Sequence, residues 1–150
     1  MRYFFTVVVL GAIFASAPAR AAGDEKFGIG VVAGVPFGAT AKYKVDSRHA
    51  VQSHLGFSDG ELTWDADFLK NFDDILPRKR PDLRIPVYLG LGLKVKNEEG
   101  GFAGIRFVGG VSLYDSKRPY EFFAEVAPVL RFSPREGGAF DGAVGVRRWF

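Results

Sequence analysis

From Phe27 onward the side chains of this sequence alternate, apolar then polar or glycine, with a period of two instead of 3.6. Successive side chains of a β-strand point to opposite faces, so the pattern predicts strands with one apolar and one polar side. Eight segments carry it: 27–35, 38–45, 50–58, 61–72, 84–96, 101–114, 120–133 and 138–150. Turn signals separate them at Pro36-Phe37-Gly38, Asp46-Ser47-Arg48, Ser58-Asp59-Gly60, Asn97 to Gly101, Asp115 to Pro119 and Pro134 to Gly138. Only 73–83 is a longer connection. Short neighbouring strands joined by tight turns predict an all-β, antiparallel meander.

Splitting the segments by parity gives two unlike faces. The fifth puts Ile85, Val87, Leu89, Leu91, Leu93 and Val95 on one side, and the seventh puts Phe122, Ala124, Val126, Pro128, Leu130 and Phe132 there. Across the eight segments that side is nearly free of charge, Arg148 being an exception, in a chain that is 25% charged. The opposite side carries Lys42, Lys44, His54, Asp65, Asp67, Lys94, Arg106, Glu125, Arg131, Asp141 and Arg147. Interleaved with them are Gly28, Gly30, Gly34, Gly56, Gly90, Gly92, Gly104, Gly110 and Gly145. The near balance of basic and acidic groups predicts an interior polar network whose members neutralise one another, because an unpaired buried charge is prohibitive.

Alternation alone does not say which face meets solvent, since any amphipathic barrel has one apolar side. Three features favour lipid outside. The glycines share the charged side, and an eight-stranded barrel is so narrow that Arg and Lys fit its lumen only beside small neighbours. Aromatics recur near the segment ends of the apolar side, at Phe27, Tyr43, Phe57, Trp64, Phe68, Phe122, Phe132, Phe140 and Phe150, as in the two interfacial girdles of a membrane barrel. The strands also account for nearly all of 22–150, which leaves nothing to lid a soluble cavity.

The N-terminus reads as an address. Met1-Arg2-Tyr3, an apolar run from Phe4 to Ala15 and the small-x-small site Ala19-Arg20-Ala21 predict a cleaved signal peptide over 1–21 and a barrel over 22–150. The run is shorter than the ~20 residues of a membrane-spanning helix. The chain has no Cys, which removes disulfides, thiolate metal sites, thiol catalysis and a lipoprotein anchor, and its two His argue against a His-rich metal site. The formal charge of +3 shrinks once Arg2 and Arg20 are cleaved away, so the basic pI is no argument for nucleic acid.

The last strand, Gly142-Ala143-Val144-Gly145-Val146-Arg147-Arg148-Trp149-Phe150, resembles the closing strand of small outer-membrane barrels. With the signal peptide and eight segments, residues 22–150 resemble the OmpA/OmpX-type barrels, including members of unassigned function. The resemblance implies an eight-stranded antiparallel up-and-down transmembrane β-barrel in the cell outer membrane of a Gram-negative envelope. It implies outer-membrane lipid and the barrel assembly machinery as partners, with Phe150 as the assembly signal. Arg148 departs from the family pattern and would snorkel to the headgroup region. The resemblance also implies periplasmic termini. The first, third, fifth and seventh connections would then be extracellular, and here they are short, which weakens an adhesin reading.

Candidate chemistry is sparse. A Ser hydrolase acting on lipid A would draw on Ser53, His54, Ser47, His49, Ser58 and Glu61, but Ser53 and His54 are strand neighbours and point to opposite faces. Arg78, Lys79, Arg80 and Arg84 form one basic cluster, bracketed by Pro77, Pro81 and Pro86, suited to anionic headgroups or to plain solvation. Gly28-Ile29-Gly30 and Gly90-Leu91-Gly92 lie inside strands and are not phosphate loops. The expectation is a non-enzymatic envelope component with a non-conducting interior, without cofactor, metal or nucleic acid. The alternatives are a soluble periplasmic barrel binding a small apolar ligand with parity reversed, and, third, a lipid A-modifying enzyme.

Overall fold

The structure, a computed structural model, describes residues 25–77, 79–133 and 136–150. The expected signal peptide at 1–21 and Arg78 of the basic cluster lie outside these residues. Nine strands follow in order: β1 (Phe27–Gly34), β2 (Phe37–Lys44), β3 (His49–Ser58), β4 (Glu61–Phe72), β5 (Leu83–Arg84), β6 (Val87–Lys96), β7 (Phe102–Asp115), β8 (Tyr120–Ser133) and β9 (Gly137–Trp149). Every pairing is antiparallel, and β9 returns to β1 while β8 pairs both β7 and β9. The sheet therefore closes on itself into an eight-stranded up-and-down barrel, and closure removes the free edges an open sheet would expose.

The eight barrel strands coincide with the eight alternating segments, with one interruption. Segment 84–96 is not continuous: the two-residue β5 and the long β6 flank Ile85-Pro86. Pro86 has no N–H to offer the ladder, yet Arg84 opposite Tyr114 and Val87 opposite Val111 keep a single register, and the Pro86 carbonyl still accepts from Ser112 N at 3.0 Å. A second proline acts the same way. The β7–β8 ladder lapses between Arg106↔Val129 and Gly109↔Val126, where Pro128 stands. At the β3–β4 hairpin Asp59 and Gly60 both take positive φ, 55° and 82°, the Asp-Gly chemistry of a two-residue turn.

Among the described residues there is no conventional apolar core. Leu89, Leu91 and Leu93 are 57%, 54% and 55% exposed, whereas Lys94 and Arg106 are 3% and 1% exposed. The leucines line the outer wall and the charges fill the lumen, the reverse of a soluble barrel. Two small apolar clusters interrupt the polar filling, one of Ala50, Leu69, Tyr88, Val108 and Ala127 and one of Val32, Phe123 and Ala143. Glycine makes this filling possible. A methyl placed on Gly110 would run into the Tyr88 ring, and one on Gly145 into the Phe123 ring.

Candidate functional site in the barrel lumen

Alternation brings charged side chains from six strands into one space. Arg106 on β7 sits at its centre: Nε lies 3.1 Å from Asp67 Oδ1, Nη2 donates to Glu125 Oε1 at 2.6 Å and Nη1 to Asp141 Oδ2 at 2.8 Å. Lys94 on β6 donates to both oxygens of Asp141 at 2.6 and 2.7 Å. His54 Nδ1 lies 2.6 Å from Asp65 Oδ1, and Asp65 Oδ2 lies 3.6 Å from Arg106. On the side nearer the chain termini, Arg147 on β9 donates to Thr40 Oγ1 at 2.9 Å and Gln52 Oε1 at 3.0 Å, with its guanidinium 3.8 Å above the Phe123 ring. Gln52 Nε2 in turn donates to Asp67 and Glu125, and Tyr88 donates to Glu125 Oε2 at 2.8 Å.

Of the eleven residues assigned to the interior, His54, Asp65, Asp67, Lys94, Arg106, Glu125, Asp141 and Arg147 form this one connected network. Lys42 joins it through Glu121, whose Oε1 accepts from Lys42 at 3.0 Å, Ser112 at 2.6 Å and Arg147 at 3.4 Å. The remaining two stand apart. Arg131, near the hairpin end, pairs with Glu98 at 2.5 Å and stacks on Phe102. Lys44, at the terminal end, lies over the rings of Trp149 and Tyr114. Glu121, not among the eleven, shares the parity of Glu125 and is fully buried. Gln52, Tyr88 and Ser112 follow the same parity rule, but as uncharged residues they gave no signal of their own.

His54, Asp65 and Asp67 carry ligand atoms within 4.8 Å of one another, the arrangement that would take a metal ion. Here the Arg106 guanidinium supplies the positive charge against both aspartates. The His54–Asp65 pair has the form of a general base with its orienting carboxylate, but Ser53 is on the other side of the wall. Its hydroxyl donates to the Asp65 carbonyl and accepts from Trp64 Nε1, both at 2.9 Å. His49 is held by Asp46 at 2.8 Å in the β2–β3 turn, which it shares with Ser47.

Eight of the nine aromatics are exposed on the outer wall, and Phe150 is half-buried just past the end of β9. Phe27 stands opposite Tyr43 at the terminal end, joined there by Phe122 and by Phe150, whose N–H donates to the Phe27 carbonyl at 2.7 Å. Phe57, Trp64, Phe132 and Phe140 belong to the hairpin half, and Phe57 is opposite Phe37, an exposed ring that the parity split had counted as turn. Phe68 stands further from the strand end, stacked on His49 with centroids 5.6 Å apart.

Among solved structures, the chain is similar to the N-terminal β-barrel domain of Pseudomonas aeruginosa OprF, with a TM-score of 0.59 over 85% of this chain and 99% of that one. The fold is that of an OmpA-type small barrel. Identity over the match is 13%, so the likeness is one of barrel architecture. No protein-family model and no curated protein matches the sequence.

Proposed function

We propose that this OmpA-type barrel is an integral protein of the outer membrane, exported by the cleaved segment 1–21, with a lumen closed to solutes by its own ion pairs. Its role is structural or interactive rather than catalytic. The observation that carries the reading is the inverted wall: Leu89, Leu91 and Leu93 exposed, Lys94 and Arg106 enclosed. In water that wall would be an apolar patch far larger than soluble monomers carry, whereas in a bilayer it is the solvated surface. The aromatics at the two ends of the strands suit the headgroup zones, and Phe150 suits recognition by the assembly machinery. Eight strands leave a lumen that side chains just fill, and Arg106 with its four carboxylates occupies it.

Fractionation tests this. The protein is expected in the outer-membrane fraction, soluble only with detergent, and running faster on a gel unboiled than boiled. In planar bilayers it is expected to give no steady conductance. Recovery as a freely soluble periplasmic protein would overturn the proposal and favour a soluble barrel.

A further inference from the structure

At the terminal end the lumen widens into a polar vestibule of about 700 Å³. Its wall is self-satisfied on one side, where Arg84 grips Asp73 through two parallel hydrogen bonds of 2.8 and 2.7 Å and so closes the neck of the 73–84 loop. Asp46 is likewise saturated by the N–H groups of Arg48 and His49. Three other groups lining the space are not. Glu25 is 8% exposed, and its Oε1 is buried without a hydrogen-bond partner. Asn71 Oδ1, at the end of β4, is buried without a partner too. The Lys44 ammonium lies 4.1 Å from the Trp149 ring centroid and 5.5 Å from that of Tyr114, and among the described residues no carboxylate comes within ion-pair distance of it.

Buried acceptors and a buried carboxylate are rarely left unpaired, and those left so point to a missing donor. A carboxylate and an amide carbonyl beside an aromatic wall match a primary ammonium, which brings three N–H donors. Lys44, held against the rings, offers the complementary positive charge to an anion. We propose that the vestibule binds a small zwitterion, its ammonium on Glu25 and Asn71 and its carboxylate or phosphate on Lys44. A free amino acid or short peptide carries that pair of charges, and so does an ethanolamine phosphate headgroup. The site depends on the geometry of the barrel's end and not on what covers the outer wall.

The test uses the full mature chain in maltoside micelles, which contribute neither charge, and follows the Trp149 indole and neighbouring amide resonances on titration with dialanine and, separately, with glycerophosphoethanolamine. Saturable shifts with at least one are expected, and which one saturates identifies the source. Acetate and ethylammonium, each with half the charges, are expected to bind at least tenfold more weakly. A hydrogen bond to a charged group is worth roughly 1.5–3 kcal/mol, so Glu25→Gln and Lys44→Met should each weaken binding roughly tenfold to a hundredfold. Asn71→Leu is a third variant, and unchanged thermal unfolding verifies the fold of each. Failure of both zwitterions to saturate, or folded Glu25 and Lys44 variants that bind as tightly as the parent, would overturn the assignment. Neither result would bear on whether the barrel spans a membrane.

Discussion

Lys94 and Asp141 lie on strands that do not touch, yet the lysine ammonium reaches both carboxylate oxygens across the lumen, at 2.6 and 2.7 Å. β7 and β8 stand between them on that side of the cylinder. The pair therefore ties together parts of the wall that share no backbone ladder, and both partners are almost wholly withdrawn from solvent.

Breaking such a pair from one side should be far worse than removing it whole. Lys94→Met leaves Asp141 with Arg106 alone, and a buried charge stripped of a partner typically destabilises by about 3–5 kcal/mol. Adding Asp141→Leu should return most of that loss. Urea unfolding from lipid vesicles measures both. A double variant no more stable than the single one would contradict the pairing.

Overpacking the lumen should be costly where glycine makes room. Gly110→Val drives a branched side chain into the Tyr88 ring, and Gly145→Val into Phe123. Each is expected to lose about 1–3 kcal/mol or more. Tyr88→Ala in the Gly110→Val background should recover part of it, by the same unfolding measurement. Gly142, on the outer wall with nothing near a would-be methyl, should accept Ala with little change.

Charge on the outer wall should be penalised by depth. Leu91, central in β6, faces outward. Leu91→Arg is expected to cost about 2–4 kcal/mol, and Phe140→Arg, near the start of β9, about 0–1 kcal/mol. Equal costs at the two positions, or none at Leu91, would argue against a bilayer around the wall.

The β2–β3 turn carries a pH signature outside the barrel wall. The Asp46 carboxylate accepts from the backbone N–H of Arg48 and from the ring and backbone N–H of His49, which hold its pKa below the ordinary 3.8. A depressed folded-state pKa means the turn's stabilisation is complete above that ordinary value and is lost as the pH falls through the lower, folded one. The difference between the parent and Asp46→Ala should therefore shrink as the pH falls below about 4. Carboxyl NMR of Asp46 checks the cause directly, and a midpoint at or above 3.8 would contradict it.

The barrel was legible from the sequence because period-two alternation is a backbone property repeated over eight segments, and no tertiary context overrides it. Arg106, Arg147 and Asp141 could be placed inward on parity alone. What parity cannot supply is which strands meet across the lumen. Nothing in the spacing of Lys94 and Asp141 announces their contact, and Glu121 went unnoticed although it links Lys42 to Arg147. The break at Ile85-Pro86 was equally invisible to alternation, since the register continues across it. The vestibule lay beyond reach because Glu25 precedes the first strand and Asn71 sits at the end of the fourth.

The two tryptophans give the most direct test of which solvent meets the outer wall. Trp64 is 45% exposed on the outside and Trp149 is 3% exposed on the inside. With the barrel reconstituted in vesicles of brominated phospholipid, Trp149→Phe leaves Trp64 as sole emitter and Trp64→Phe leaves Trp149. A lipid-facing wall predicts stronger quenching of Trp64 than of Trp149 by the bromines, and only weak quenching of Trp64 by aqueous iodide. A Trp64 quenched by iodide and untouched by bromolipid would contradict it.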